Sequence, residues 1–217
     1  MHAPPLVRGS VVTRSASLVV GLFLFALGIV LLYESELGLA PWDVLNQGVS
    51  EHTSLSFGTA NIVIALGVLV IAWALGARIG PGTVANAVLI GLIVNGLLAL
   101  DPIDALSETS LALRIVLMVG GVLTIGIGSG FYIGAGMGAG PRDSLMLVAA
   151  RQAGVRIGIA RATIEVAVTV IGFALGGTVG IGTIAFAFGI GPAVELSFWL
   201  LERSPLADAA ADASHAA

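Results

Sequence analysis

The hydrophobic pattern of the chain is one of long apolar runs broken by short polar or charged stretches. Residues 15–33, 52–77, 79–100 and 115–141 hold no Asp, Glu, Lys or Arg, and 157–201 has room for two more runs, divided at Gly176, Gly177 and Gly180. An α-helix needs about 20 apolar residues to cross a hydrocarbon core of roughly 30 Å. The pattern therefore predicts an all-α membrane protein with six spanning helices, near 15–33, 57–77, 82–100, 113–134, 157–176 and 181–201. The runs are continuous rather than alternating, which argues against barrel strands.

Composition agrees. Hydrophobic residues make up 57% of the 217 and charged residues 10%, against about 25% charged in soluble domains. The polar coat of a water-soluble globule is missing, and lipid is the expected solvent and partner. A net charge of −4 is too small to suggest nucleic acid, and the lack of cysteine removes disulfides and thiolate metal sites. The first run is longer than the apolar core of a signal peptide and is followed by others like it.

Arginines set the expected orientation. With the N-terminus in the cytoplasm, Arg8, Arg14, Arg78, Arg142, Arg151, Arg156, Arg161 and Arg203 fall on the inner side and Arg114 outside. This distribution follows the positive-inside rule. Both termini are then cytoplasmic, with tails at 1–14 and 204–217 and an extracytoplasmic connection at 101–112 between units 15–100 and 113–203.

Those units align without a gap at an offset of 100 residues. Gly38, Pro41, Asp43, Leu45 and Gly58 fall on Gly138, Pro141, Asp143, Leu145 and Gly158, and Gly21, Gly28 and Gly91 fall on Gly121, Gly128 and Gly191. Each unit has three spans, an odd number, so the second enters the membrane inverted. That puts Asp43 toward the outer face and Asp143 toward the inner one. Inverted repeats are typical of secondary transporters, although inversion is also a simple way to build a six-helix bundle.

The shared Gly-x-x-Pro-x-Asp motif predicts a break and a new short helix in each unit. Gly38 and Gly138 permit an abrupt turn, Pro41 and Pro141 suit a first helical position, and Asp43 and Asp143 can cap the free N–H groups beyond. The short helices, about 41–53 and 141–153, are either interfacial, with Trp42 at the headgroup level, or re-entrant half-helices lining a pathway. In the second case the two aspartates bind a proton or cation or gate access.

Charge within the spans is confined to the second unit. Arg161 and Glu165 share a face of helix 5, and Glu195 on helix 6 falls in the same half of the bilayer as Glu165; the matching first-unit positions are Asn61, Ala65 and Asn95. A charge at bilayer depth costs from about 3 to over 10 kcal/mol, so it should face the protein interior and find a partner. One reading is a structural Arg161–Glu165 pair with Glu195 snorkelling to the interface; the other is a proton or solute site built from all three. Gly126, Gly130, Gly134 and Gly138, at four-residue spacing, predict close helix packing.

The run Glu36-Leu37-Gly38-Leu39-Ala40-Pro41-Trp42-Asp43-Val44-Leu45, followed by Ser56-Phe57-Gly58-Thr59, resembles the YczE/YyaS/YitT group of bacterial membrane proteins. The resemblance implies a multipass protein of the bacterial plasma membrane and carries no catalytic residues with it. The leading expectation is a small transporter moving a solute, with a proton as candidate coupling ion; a non-transporting accessory factor for a partner enzyme is the alternative. A homodimer stays open. No catalytic constellation, metal site or cofactor is expected, since His2 and His215 lie near the ends and His52 stands alone. A bundle without a polar cavity around Asp43, Asp143, Glu165 and Glu195 would argue against transport.

Overall fold

A computed structural model of the protein describes residues 5–100 and 110–204. Outside the described residues lie 1–4, most of the 101–112 connection and the tail beyond Ser204. Among the described residues are eight helices: α1 (Val11–Glu34), α2 (Pro41–Glu51), α3 (Phe57–Ala74), α4 (Pro81–Leu98), α5 (Leu111–Gly134), α6 (Pro141–Ala153), α7 (Ile157–Ala174) and α8 (Ile181–Glu202). Six of them, α1, α3, α4, α5, α7 and α8, are long and apolar enough to cross a membrane. The helix α1 starts four residues before the predicted span, where Ser10 Oγ accepts from the Thr13 N–H. Large apolar side chains, among them Val70, Trp73, Val170 and Phe173, remain exposed on the outside of the bundle, as lipid-facing surfaces require.

The central contact is between α1 and α5, which run antiparallel. Gly21 lies against Gly128 and Tyr132, and Gly28 against Gly121 and Ile125, so closely that no Cβ would fit at any of the four glycines. Each helix also ties down the end of the other. Arg14 donates to the carbonyls of Ala135 (2.7 Å) and Gly136 (2.7 Å), and Arg114 donates to that of Ser35 (2.7 Å) and pairs with Glu36 (3.1 Å). Arg114, the exception in the charge count, thus has a structural task at the end of α1. The glycine row of α5 packs on α8, with Gly126 on Ala193, Gly130 on Ser197 and Gly134 on Leu201.

The segments between α1 and α2 and between α5 and α6 turn through Gly38 (φ +114°) and Gly138 (φ +123°), a region that L side chains disfavour. Each segment then supports the start of a distant span. The Gly182 N–H donates to Leu37 O (2.6 Å) and the Gly82 N–H to Met137 O (2.9 Å). The short helices α2 and α6 pack with α3 and α7 around Trp42, Val68, Met146 and Val168, supported by Leu45, Leu145, Ile64 and Ile164. Their 11 and 13 residues reach about 17 and 20 Å at roughly 1.5 Å per residue, too short to cross. They lie within the bundle: Pro41, Trp42, Asp43, Val44, Asn46 and Gly48 of α2 are all buried. Trp42, 6% exposed, packs inside the bundle rather than on its surface.

Two seams differ. Along α3 and α4, Gly58 and Gly91 bring the backbones together, each against the other's carbonyl. Asn95 closes the end of this seam: its Oδ1 accepts from Ser56 Oγ (2.9 Å) and the Gly58 N–H (3.0 Å), and its Nδ2 donates to Thr59 Oγ1 (3.0 Å). The corresponding helices α7 and α8 are not packed on each other, and a Cβ at Gly158 or Gly191 would meet nothing within 4 Å.

Candidate functional site

The open side of the bundle leads into a cavity of about 370 Å³, within the roughly 300–1,000 Å³ range of small-molecule sites. The first residues of both short helices line it. The motif turns bend back into the bundle, so Asp43 and Asp143, expected toward opposite faces, border the same space. Both aspartates stand in the first turn of their helices, as expected, where the N-cap residues Ala40 and Gly140 make no side-chain cap. The buried Asp43 accepts from Asn46 Nδ2 (3.0 Å) and lies 3.6 Å from the guanidinium of Arg142. Arg142 also lies over the Trp42 ring, 5.3 Å from its centroid. Asp143 accepts from the Tyr132 hydroxyl (2.8 Å).

Thus Trp42 and Arg142, which occupy the same position in the two motifs, are brought against each other. The cation that neutralises the first motif's aspartate is supplied by the second motif.

Arg161, Glu165 and Glu195 border the cavity on the open side. Arg161 donates to Glu165 at 2.9 Å, in the expected i, i+4 geometry. Glu195 is exposed on the rim of α8. Asn61 is buried at the wall. Asn95, grouped with these residues in the sequence, lies apart from the cavity in the α3–α4 seam.

The lining follows the 100-residue offset. It includes both members of the pairs Phe25/Ile125, Ala40/Gly140, Pro41/Pro141, Trp42/Arg142, Asp43/Asp143, Asn61/Arg161, Ala65/Glu165, Asn86/Phe186 and Ile90/Ile190. Every lining residue without its counterpart comes from the second half: Ser129, Tyr132, Ile133, Met146, Gly191, Val194 and Glu195. The cavity is shared at its centre and opens toward one side.

A model of the family of unknown function DUF6198 matches residues 12–198 of the chain. The chain belongs to this family. Among bacterial relatives, an uncharacterized protein of Haemophilus influenzae is 34% identical over 194 residues, covering 86% of each chain. The uncharacterized membrane protein YczE of Bacillus subtilis is 34% identical over 171 residues, 77% of each chain, and YyaS of the same organism is 27% identical over 173 residues, 76% of this chain and 82% of its own. No solved structure matches the chain. With its six apolar helices and these relatives, this DUF6198 member is a multipass membrane protein.

The DUF6198 match takes in every cavity residue, from Phe25 to Glu195. Several of them escaped the sequence reading. Tyr132 carries the hydroxyl that holds Asp143, yet in sequence it is one aromatic residue at the end of a glycine-rich span. Asn86 is one of two amides in an apolar run, with Asn95. Arg142 reads in the sequence as an inner-side charge and as the motif residue that replaces Trp42, and its place beside Asp143 was the available signal.

Proposed function

We propose that this chain is a small secondary transporter built from two inverted three-span repeats, rather than an enzyme or a scaffold. The carrying observation is the difference between the seams around one shared cavity: α3–α4 is sealed, α7–α8 is parted, and both seams hold glycines at corresponding positions. Inverted repeats make such a difference exchangeable. In the alternative state Gly158 and Gly191 come together while Gly58 and Gly91 part, and access moves to the other side of the membrane. The antiparallel contact of α1 with α5 and the reciprocal ties of Arg14 and Arg114 support this reading, because they leave the exchange a pseudo-symmetric core to work around. The arginine distribution supports an opening toward the cytoplasm, since Arg161 lies near the start of α7 and Arg203 follows α8.

The two motifs have the character of transporter half-helices, whose N-termini meet solute inside the protein. Solute uptake and counterflow in proteoliposomes, screened over cationic, neutral and anionic small molecules, tests the reading. Saturable flux that is lost in Asp143→Asn, with normal membrane insertion, supports it. A wild-type chain that moves none of the solutes, and whose seams never exchange, removes it in favour of an accessory role.

A further inference from the structure

We propose that the cavity takes a small monovalent organic cation, an alkyl- or arylammonium or a guanidinium compound, with Asp143 as its anchor. This rests on reading the cavity as the solute site. Four carboxylates border it, those of Asp43, Asp143, Glu165 and Glu195, against two guanidiniums, those of Arg142 and Arg161. Both guanidiniums are committed, Arg142 to Asp43 at 3.6 Å and Arg161 to Glu165 at 2.9 Å. Two carboxylates, Asp143 and Glu195, are left without a cationic partner among the described residues.

The helix N-termini count the other way. Each carries roughly half a positive charge, so α2 and α6 together offset about one of the two surplus negative charges. One negative charge remains, and it suits a monovalent cation. An anion would have to displace Asp43 from Arg142 while facing both free carboxylates.

The walls supply the rest of the recognition. Phe25 and Tyr132 meet edge to face at 6.0 Å, Phe186 lies on the wall, and Trp42 already accepts one cation, Arg142, over its ring. Aromatic faces beside a carboxylate are a general means of holding ammonium and guanidinium groups. A bare metal ion fits less well, since no three His, Asp or Glu side chains converge to hold one among the described residues, and the volume is that of a molecule.

The test uses the full chain in detergent with Trp73 and Trp199 replaced by Phe, leaving Trp42 as the sole tryptophan reporter. Benzylammonium, guanidinium, benzyl alcohol and benzoate are titrated as probes. Saturable changes in Trp42 emission with the two cations, and none with the alcohol or benzoate, are expected. Asp143→Asn should weaken benzylammonium binding about tenfold or more, the loss of one charge-assisted contact, and Glu195→Gln, on the exposed rim, should weaken it by a smaller factor. Binding of benzoate in preference to benzylammonium, binding of no cation, or an undiminished affinity in a folded Asp143→Asn chain overturns the proposal. Cation binding without flux in proteoliposomes would uphold the site and remove the transporter reading; benzoate flux without amine binding would do the reverse.

Discussion

Asn95 holds the start of α3 by accepting the Gly58 N–H at 3.0 Å, so one side chain of α4 caps the neighbouring span across the seam. Replacing it leaves that donor and the Ser56 hydroxyl without this acceptor. Asn95→Ala should lower stability by about 1–3 kcal/mol, the cost of an unmet buried donor. A fall in the thermal unfolding midpoint in detergent checks it. An unchanged midpoint would mean the clamp is incidental.

The four seam glycines should separate into two classes. A methyl at Gly91 runs into the backbone of Gly58 and the Ile62 side chain, and overpacking of this kind costs about 1–3 kcal/mol. A methyl at Gly191 meets nothing, and removing a mid-helix glycine gains roughly 0.5–1 kcal/mol. Thermal unfolding should therefore show Gly91→Ala destabilised and Gly191→Ala unchanged or slightly stabilised. If α7 and α8 must close during turnover, Gly191→Ala should nonetheless slow uptake several-fold.

Arg142 and Asp43 form an ion pair whose acid is 2% exposed. Arg142→Met strands that carboxylate, and breaking a buried pair on one side costs about 3–5 kcal/mol. The double change Asp43→Asn with Arg142→Met removes both charges and should recover most of the loss. A double variant destabilised by the sum of the losses in Arg142→Met alone and Asp43→Asn alone would show that the pair is not coupled.

In the open seam the residues matching Ser56 and Asn95 are Arg156, the uncapped N-cap of α7, and Glu195. Closure would bring an acid to a helix N-terminus beside an arginine, both favourable. Glu195→Arg should cut uptake at least tenfold, and the charge exchange Arg156→Glu with Glu195→Arg should restore part of it. No recovery in the exchanged protein would separate these residues from closure.

Much of this was legible in the chain. Apolar runs gave the spans, because only helices satisfy their own backbone in lipid, and the recurrence of Gly38, Pro41 and Asp43 at Gly138, Pro141 and Asp143 gave the two breaks. The depth of the aspartates was not legible. A turn at Gly38 can lead outward along the membrane surface or back into the bundle, and the choice lies in contacts such as Leu37 with Gly182, far apart in sequence. The seams were equally hidden. Gly58 and Gly158 read alike, as do Gly91 and Gly191, and only the packing tells the closed pair from the parted one.

Disulfide trapping in a chain with no native cysteine decides whether the seams exchange. Ser56→Cys with Asn95→Cys reports the sealed side, and Arg156→Cys with Glu195→Cys reports the parted one. In membranes both pairs should cross-link, the first in most of the resting population. Each bond should stop solute uptake until a reductant restores it. Cross-linking of the first pair alone, with uptake running unhindered through the bonded protein, would contradict an exchange of seams.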